Sequence, residues 1–251
     1  MERRYVRRIE LNAPLEKDSY LHGVPAVRYL ERAGALEFHS DVTFLVGENG
    51  VGKSTLLEAI AVACGFNPEG GTRNFSFSTR ATHSALCDAL TIVRSAYPRD
   101  GFFLRAESFY NTASYIDRLD EESALGVPVA ASYGGSLHAR SHGESFLALV
   151  QNRFGGHGLY LLDEPEAALS PMRLMTLLAE MDQLVRAESQ FIVSTQSPIL
   201  MAFPGAEILQ ITDAGIFPTP YRETEHYVLT RRFLEQPEQM VRYLLENADG
   251  E

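Results

Sequence analysis

Cysteine is almost absent: the chain has two, Cys64 and Cys87, without metal-ligand spacing, so neither a disulfide framework nor a thiolate metal site organises it and redox chemistry is not expected. Two small buried thiols are the expectation instead. Long apolar runs are absent as well, since no stretch reaches the roughly 18–20 residues that a membrane-spanning helix needs. The arginine-rich start, Met1 to Arg8, is followed by neither an apolar segment nor a small-residue cleavage site, so a cytoplasmic location is expected. Positive charge is scarce. Lys and Arg number 22 against 33 Asp and Glu, a formal net charge of −11, and that field repels a polyanion unless cations are gathered locally. The one gathering is Arg3, Arg4, Arg7 and Arg8, which an N-terminal strand alternating about Val6 and Ile9 would carry for solubility in any case.

What is present is ordinary globular material: 251 residues, 45% apolar and 22% charged, enough for one large domain or one domain with a sizeable insertion. Tyr5 to Leu11 alternates as an edge strand would, and Asp41 to Val46 (DVTFLV) is a buried strand ending at a glycine. Lys53 to Cys64 contains no Gly or Pro and reads as a helix. From Gly65 to about His83 the chain is polar and Gly/Ser/Thr/Asn-rich, then gives a helix near Ser84 to Ser95 and a strand at Gly101 to Ala106. Asn111 to Ser141 suits a flexible or lid-like insertion, and helix resumes at Glu144 to Phe154. Strands at 158–162, 190–194, 207–212 and 215–218 alternate with helices at 171–187 and 198–202, predicting a largely parallel sheet covered by helices. The tail, 223–247, reads as two amphipathic helices broken by Pro237. There is no internal repeat and no sustained heptad pattern.

Gly47-Glu48-Asn49-Gly50-Val51-Gly52-Lys53-Ser54 satisfies G-x-x-x-x-G-K-[ST] between a strand and a helix, the context this phosphate-binding loop requires. Glycines let the backbone approach phosphate oxygens and adopt positive φ, leaving the N–H groups of the loop and of the following helix start, Lys53 to Thr55, free to cradle an anion. Lys53 is assigned to the β- and γ-phosphates and Ser54 to Mg²⁺. Leu159 to Glu164 (LYLLDE) is an apolar strand tipped by two carboxylates. Asp163 is placed to hold Mg²⁺ through water, and Glu164 to act as general base or to orient water in line with the γ-phosphate.

Asp163-Glu164-Pro165 followed by Ala168-Leu169-Ser170-Pro171 resembles the Walker B and D-loop segments of ABC-type ATPases. The run GENGVGKSTLLEAIA, Gly47 to Ala61, is similar to the ATPase heads of the SMC, RecF and OLD-like group and to small stand-alone ATPases of the AAA family. The resemblance spans residues 47–198. It implies an α/β P-loop NTPase of ABC-ATPase type forming one domain over 1–251: a mostly parallel sheet flanked by helices, an N-terminal antiparallel β part, an insertion or lid over roughly 65–140 and C-terminal helices over roughly 223–248. It also implies Mg-dependent ATP hydrolysis. Ser141-His142-Gly143-Glu144-Ser145, roughly 20 residues before Asp163, stands where the family carries its signature loop, and Ser141 and Gly143 match the positions that meet the γ-phosphate of the opposite subunit. His142 and Glu144 depart from that loop's Gly and Gln. Phe191 to Pro198 resembles the switch strand, with Gln196 where the family often has His, able to donate to phosphate but not to titrate. The Q-loop position after strand 101–106 holds Glu107, a carboxylate that could bind Mg²⁺. Tyr5 and Tyr20 are both open as adenine-stacking residues.

The resemblance implies an ATP-dependent head-to-tail homodimer. About 86 residues separate Ser54 from Ser141, without the heptads of a coiled-coil arm, so the expectation is a stand-alone SMC/RecF-like ATPase in DNA maintenance or defence, with nucleic acid or a protein as its partner. Two alternatives stay open: the ATPase subunit of a membrane transporter or assembly complex, and a nucleotide-gated binding module with negligible turnover.

Overall fold

The computed structural model describes residues 4–72, 85–107, 109 and 141–248. The chain opens with β1 (Arg8–Leu11), α1 (Pro25–Ala33) and β2 (Ala35–Glu37), then runs through β3 (Val42–Val46) into α2 (Lys53–Ala63). A short α3 (Leu86–Ala89) leads into β4 (Leu90–Val93) and β5 (Asp100–Arg105). After the insertion come α4 (His142–Arg153), β6 (Gly158–Asp163), α5 (Pro171–Arg186), β7 (Gln190–Ser194), α6 (Pro198–Met201), β8 (Glu207–Thr212) and β9 (Gly215–Pro218). Two helices, α7 (Glu225–Glu235) and α8 (Pro237–Ala248), close the described chain. The expected insertion lies mostly outside the described residues, at 73–84, 108 and 110–140.

Six strands form one sheet in the order β5-β6-β7-β3-β8-β9. The first five run parallel, and β9 returns antiparallel on the edge. Every residue of β3, β6 and β7 is buried, as expected for a parallel sheet covered on both faces. Alternation along β3 divides the core in two. Val42, Phe44 and Val46 pack with Phe146, Leu174 and Leu177 from α4 and α5, whereas Leu45 packs with Leu56 and Ile60 of α2 and with Leu30 of α1.

A second, antiparallel sheet has the order β2-β1-β4, so β1 is its centre and not an edge strand, and it begins at Arg8 and not at Tyr5. The helix expected across Ser84 to Ser95 is also corrected. Only Leu86–Ala89 is helical, and Leu90–Val93 is a strand in which Ile92 sits opposite Ile9. The run Leu-Thr-Ile-Val is stiff at χ1 and suits a pleated surface once β1 offers an edge to pair with. Gln190 anchors this sheet to the main one: its buried amide accepts from the backbone N–H of Tyr5 and of Val6, both at 2.9 Å, and donates to the Val6 carbonyl at 2.8 Å. Of the N-terminal arginines, Arg8 pairs with Glu10 and with Glu37 at 3.7 Å, and Arg4 donates to the Phe38 carbonyl at 2.9 Å. Two members of that cluster are therefore taken up within the fold.

Candidate phosphate-binding site

The carboxyl ends of β3, β7 and β6 lie side by side, the place where open parallel sheets hold ligands. From β3 the chain turns through residues 47–52 into α2. Gly47 and Gly52 have φ of +144° and +97°, which side chains rarely adopt. Both are also closely overlaid. A Cβ on Gly47 would stand 2.4 Å from the Ile211 carbonyl oxygen, and one on Gly52 would stand 2.3 Å from Cγ1 of Val24. The loop thus needs glycine for its path and for its packing, while Asn49 and Gly50 at its tip are exposed.

Lys53 opens α2 and is buried. Its ammonium donates to the carbonyls of Gly47 at 2.8 Å and Glu48 at 2.9 Å. Burial lowers its pKa, and the carboxylates of Glu164, Glu166 and Asp163 oppose that shift. Ser54, one residue on, donates from Oγ to Oδ1 of Asp163 at 2.9 Å, joining positions 109 residues apart in sequence. Thr55 is half-buried in the same turn.

Asp163 ends β6 and is 5% exposed. Burial pushes its carboxyl above the usual range, partly offset by the Arg105 guanidinium and by the hydrogen bond from the Ser54 hydroxyl. Arg105, directly opposite in β5, brings Nε to 3.4 Å from Asp163 Oδ2 and reaches Glu58 of α2 at 2.5 Å. Glu107 is outside this cluster: its side chain is 90% exposed and stands 3.9 Å from Arg105, so Arg105 lies between it and Asp163. Glu164 is half-buried with φ of +48°, left-handed backbone in a non-glycine residue, the kind of strain that collects at functional sites. Its N–H donates to the Ser194 carbonyl at 3.0 Å.

Glu166 was not singled out from the sequence. Its Oε1 accepts from the Thr195 hydroxyl at 2.8 Å and from the Gln196 backbone N–H at 2.5 Å, while Oε2 is buried without a hydrogen-bond partner. Burial raises its pKa against those two bonds. Gln196 in turn donates from Nε2 to Asn49 Oδ1 at 2.6 Å. The loop after β6, the loop after β7 and the tip of the glycine loop are therefore linked in one hydrogen-bonded chain. His226, at the start of α7, also lies in this electrostatic neighbourhood: burial lowers its pKa, Lys53 lowers it further, and Glu225 and Glu48 oppose.

Ser141 and Gly143 form a separate cluster. Ser141 caps α4 with its hydroxyl donating to Glu144 at 2.7 Å, and Arg173 of α5 contacts the Ser141 hydroxyl at 3.3 Å and Glu144 at 3.1 Å. A Cβ on Gly143 would stand 2.6 Å from Nη1 of Arg173 and 2.9 Å from the Ala168 carbonyl, so α4 is pressed against the segment following Glu166. Of the two tyrosines, Tyr5 is buried with its hydroxyl bonded to the Glu188 carbonyl at 2.9 Å, which makes it core, while Tyr20 is 70% exposed.

A glycine loop joining a parallel strand to a helix, whose serine meets the acid tipping another strand of the same sheet, is the arrangement of a P-loop NTPase fold. Residues 26–99, which contain that loop, match the family model described as an AAA domain. Among solved structures the chain is similar to the SMC head domain from Thermotoga maritima, at 16% identity over 86% of this chain and 100% of that one, TM-score 0.45. It is similar also to cbiO1 from Clostridium perfringens, part of the ABC transporter complex cbiONQ, at 14% identity over 96% and 99%, TM-score 0.45. A metal-chelate type ABC transporter in an inward-facing conformation is similar at 13% identity over 92% and 88%, TM-score 0.48. Among curated proteins none matches the chain in sequence. No helix among the described residues is long and apolar enough to cross a membrane.

Proposed function

We propose that the whole chain acts as one Mg-dependent ABC-type ATPase domain, closing head to tail with a second copy on ATP, and that it is a stand-alone SMC/RecF-like enzyme of DNA maintenance or defence. The carrying observation is the Ser54–Asp163 hydrogen bond, because it sets a hydroxyl and a carboxylate side by side at the mouth of a glycine cradle. That pair of hard oxygen donors fits Mg²⁺ bound beside phosphate. A magnesium ion held there would draw charge from the β- and γ-phosphate oxygens.

The remaining roles fall to the chain's own groups. Backbone N–H groups of Asn49 to Thr55 cradle the phosphates, with the positive end of α2 behind them. Lys53 exchanges two carbonyl acceptors for phosphate oxygens, a stronger charge-assisted contact. Glu164 takes the proton of the attacking water or orients that water, and the Gln196 amide donates to the γ-phosphate. Ser141 supports the head-to-tail arrangement because it stands exposed at the N-terminus of α4, a position that favours an anion brought by another molecule. Arg173 stands 3.1 Å from Glu144 and 3.3 Å from the Ser141 hydroxyl, a cation beside the place where phosphate would approach, and phosphate would take over the Ser141 donors that Glu144 now holds.

Glu166 is the positioning residue for Gln196. Glu166→Ala removes the acceptor for Thr195 and for the Gln196 N–H, so kcat is expected to fall about tenfold while the Kd for ATP stays within about threefold. Glu166→Gln keeps an acceptor oxygen and should restore most of the rate. Steady-state phosphate release together with nucleotide titration reads both; an unchanged kcat in Glu166→Ala removes the role.

Phosphate-release assays with and without nucleic acid test the biological part of the proposal. Basal Mg-dependent hydrolysis with severalfold stimulation by DNA or RNA is expected, and no stimulation by any single- or double-stranded form contradicts it.

A further inference from the structure

Paired residues of neighbouring parallel strands point to the same face of a sheet, so the register that sets Arg105 of β5 against Asp163 of β6 places both side chains on one side. There Arg105 reaches α2. Its Nη1 meets Glu58 Oε2 at 2.5 Å and donates to the Pro68 carbonyl at 3.3 Å, and the guanidinium carbon lies 5.9 Å from the centroid of the Phe103 ring. Side-chain exposure is 18% for Arg105 and 13% for Glu58, so water screens this pair far less than it would a surface one. The guanidinium is thus pinned at one end. Its other edge, Nε, is buried and stands 3.4 Å from Asp163 Oδ2 with no hydrogen bond made. Asp163 therefore has two unlike oxygens: Oδ1 accepts from Ser54 at the mouth of the glycine cradle, and Oδ2 faces a fixed cation.

We infer that Arg105 sets the metal preference of the Ser54–Asp163 site, admitting Mg²⁺ and disfavouring Ca²⁺ by keeping Oδ2 of Asp163 away from a bound ion; the inference rests on the proposed reading of Ser54 and Asp163 as the magnesium site. The two ions differ in what they ask of a carboxylate. Ca²⁺ gathers about six to eight oxygens in a flexible shell and readily takes both oxygens of one carboxylate, whereas Mg²⁺ keeps a compact octahedron with several waters. A carboxylate that offers a single oxygen suits the second demand. Closing off Oδ2 takes a cation flat enough to lie beside the carboxylate and long enough to be anchored beyond it. The planar guanidinium, held at Glu58 and at the Pro68 carbonyl, meets both conditions, and a lysine ammonium has no second edge with which to do so. Arg105 acts through Asp163, as a positioning residue.

Equilibrium titration of the full chain with a non-hydrolysable ATP analogue, in Mg²⁺, in Ca²⁺ or in EDTA, reads the choice of ion without relying on turnover. The wild type should bind the analogue at least roughly tenfold more tightly with Mg²⁺ than with Ca²⁺. Arg105→Met keeps most of the length and removes the guanidinium, and it should bring the two Kd values within about threefold, the scale of effect expected when the partner of a metal-binding carboxylate is lost. Both ions carry the same charge, so their ratio is insensitive to the positive charge removed and to a general loosening of the fold. Should Arg105→Met fail to fold, Arg105→Lys keeps a cation between Glu58 and Asp163, and it too should lose the preference. A wild type that does not distinguish the ions overturns the inference, and so does either variant that keeps the full preference. Binding that is the same in EDTA as with either ion overturns the magnesium reading itself and this inference with it, whereas equal tightening by both ions in the wild type overturns this inference alone.

Discussion

Glu164→Gln is expected to lower kcat for ATP by at least roughly 100-fold, the lower end of what a positioned proton acceptor contributes, and to leave ATP bound as tightly as before or more tightly. The side chains are isosteric, so the left-handed backbone at this residue and its N–H bond to Ser194 are retained. The lost quantity is a negative charge. That charge currently presses on its neighbours, since Glu164 helps to raise the pKa of both Asp163 and Glu166. Removing it eases the crowding of three carboxylates where a polyphosphate must enter, which is why affinity should not fall. Single-turnover hydrolysis and equilibrium titration separate the two effects, and a variant that still turns over at the wild-type rate would move the proton acceptor elsewhere.

Lys53→Ala should act in the opposite way, on binding first. Its ammonium is the cation facing Asp163, Glu164 and Glu166, and it is already desolvated, so its contact with phosphate is stronger than a surface ion pair. Losing this buried charged partner costs about 3 kcal/mol, roughly a 100-fold rise in the Kd for ATP, even with Arg105 still facing Asp163. Lys53→Arg should not rescue it, because a planar guanidinium cannot replace a compact ammonium between the Gly47 and Glu48 carbonyls. Calorimetric titration with ATP reads both variants, and a Kd within threefold of wild type for Lys53→Ala would contradict the assigned contact.

Local chemistry made part of this site legible. The glycine loop, the strand before it, the helix after it and the acid-tipped strand β6 are each contiguous, so period, punctuation and motif spacing reveal them. Parallel strands also announce themselves as short, mostly apolar runs, as in Val42–Val46 and Gln190–Ser194, every residue of which is buried. What stayed hidden depends on partners far away in sequence. Leu90–Val93 looks like the continuation of a helix until β1 supplies an edge, and the small sheet is tied to the main one by Gln190, some 180 residues after the backbone it binds. Arg105 carries no signal of its own, because only the β5–β6 register sets it against Asp163. Glu166 reads as one more surface acid until the loop after β7 folds over it. Helix α1 could have been found: Pro25 at its first turn and Gly34 in the left-handed position after it are ordinary start and stop marks.

The most direct test of the proposed head-to-tail phosphate site is the mass of Glu164→Gln measured with ATP and with ADP. With Mg²⁺ and ATP the particle should double in mass, and with ADP it should remain a single chain, because only the γ-phosphate offers Ser141 and Gly143 of the other copy something to hold. A single chain that binds ATP tightly and never pairs, or pairing that is the same in ADP, would contradict head-to-tail closure.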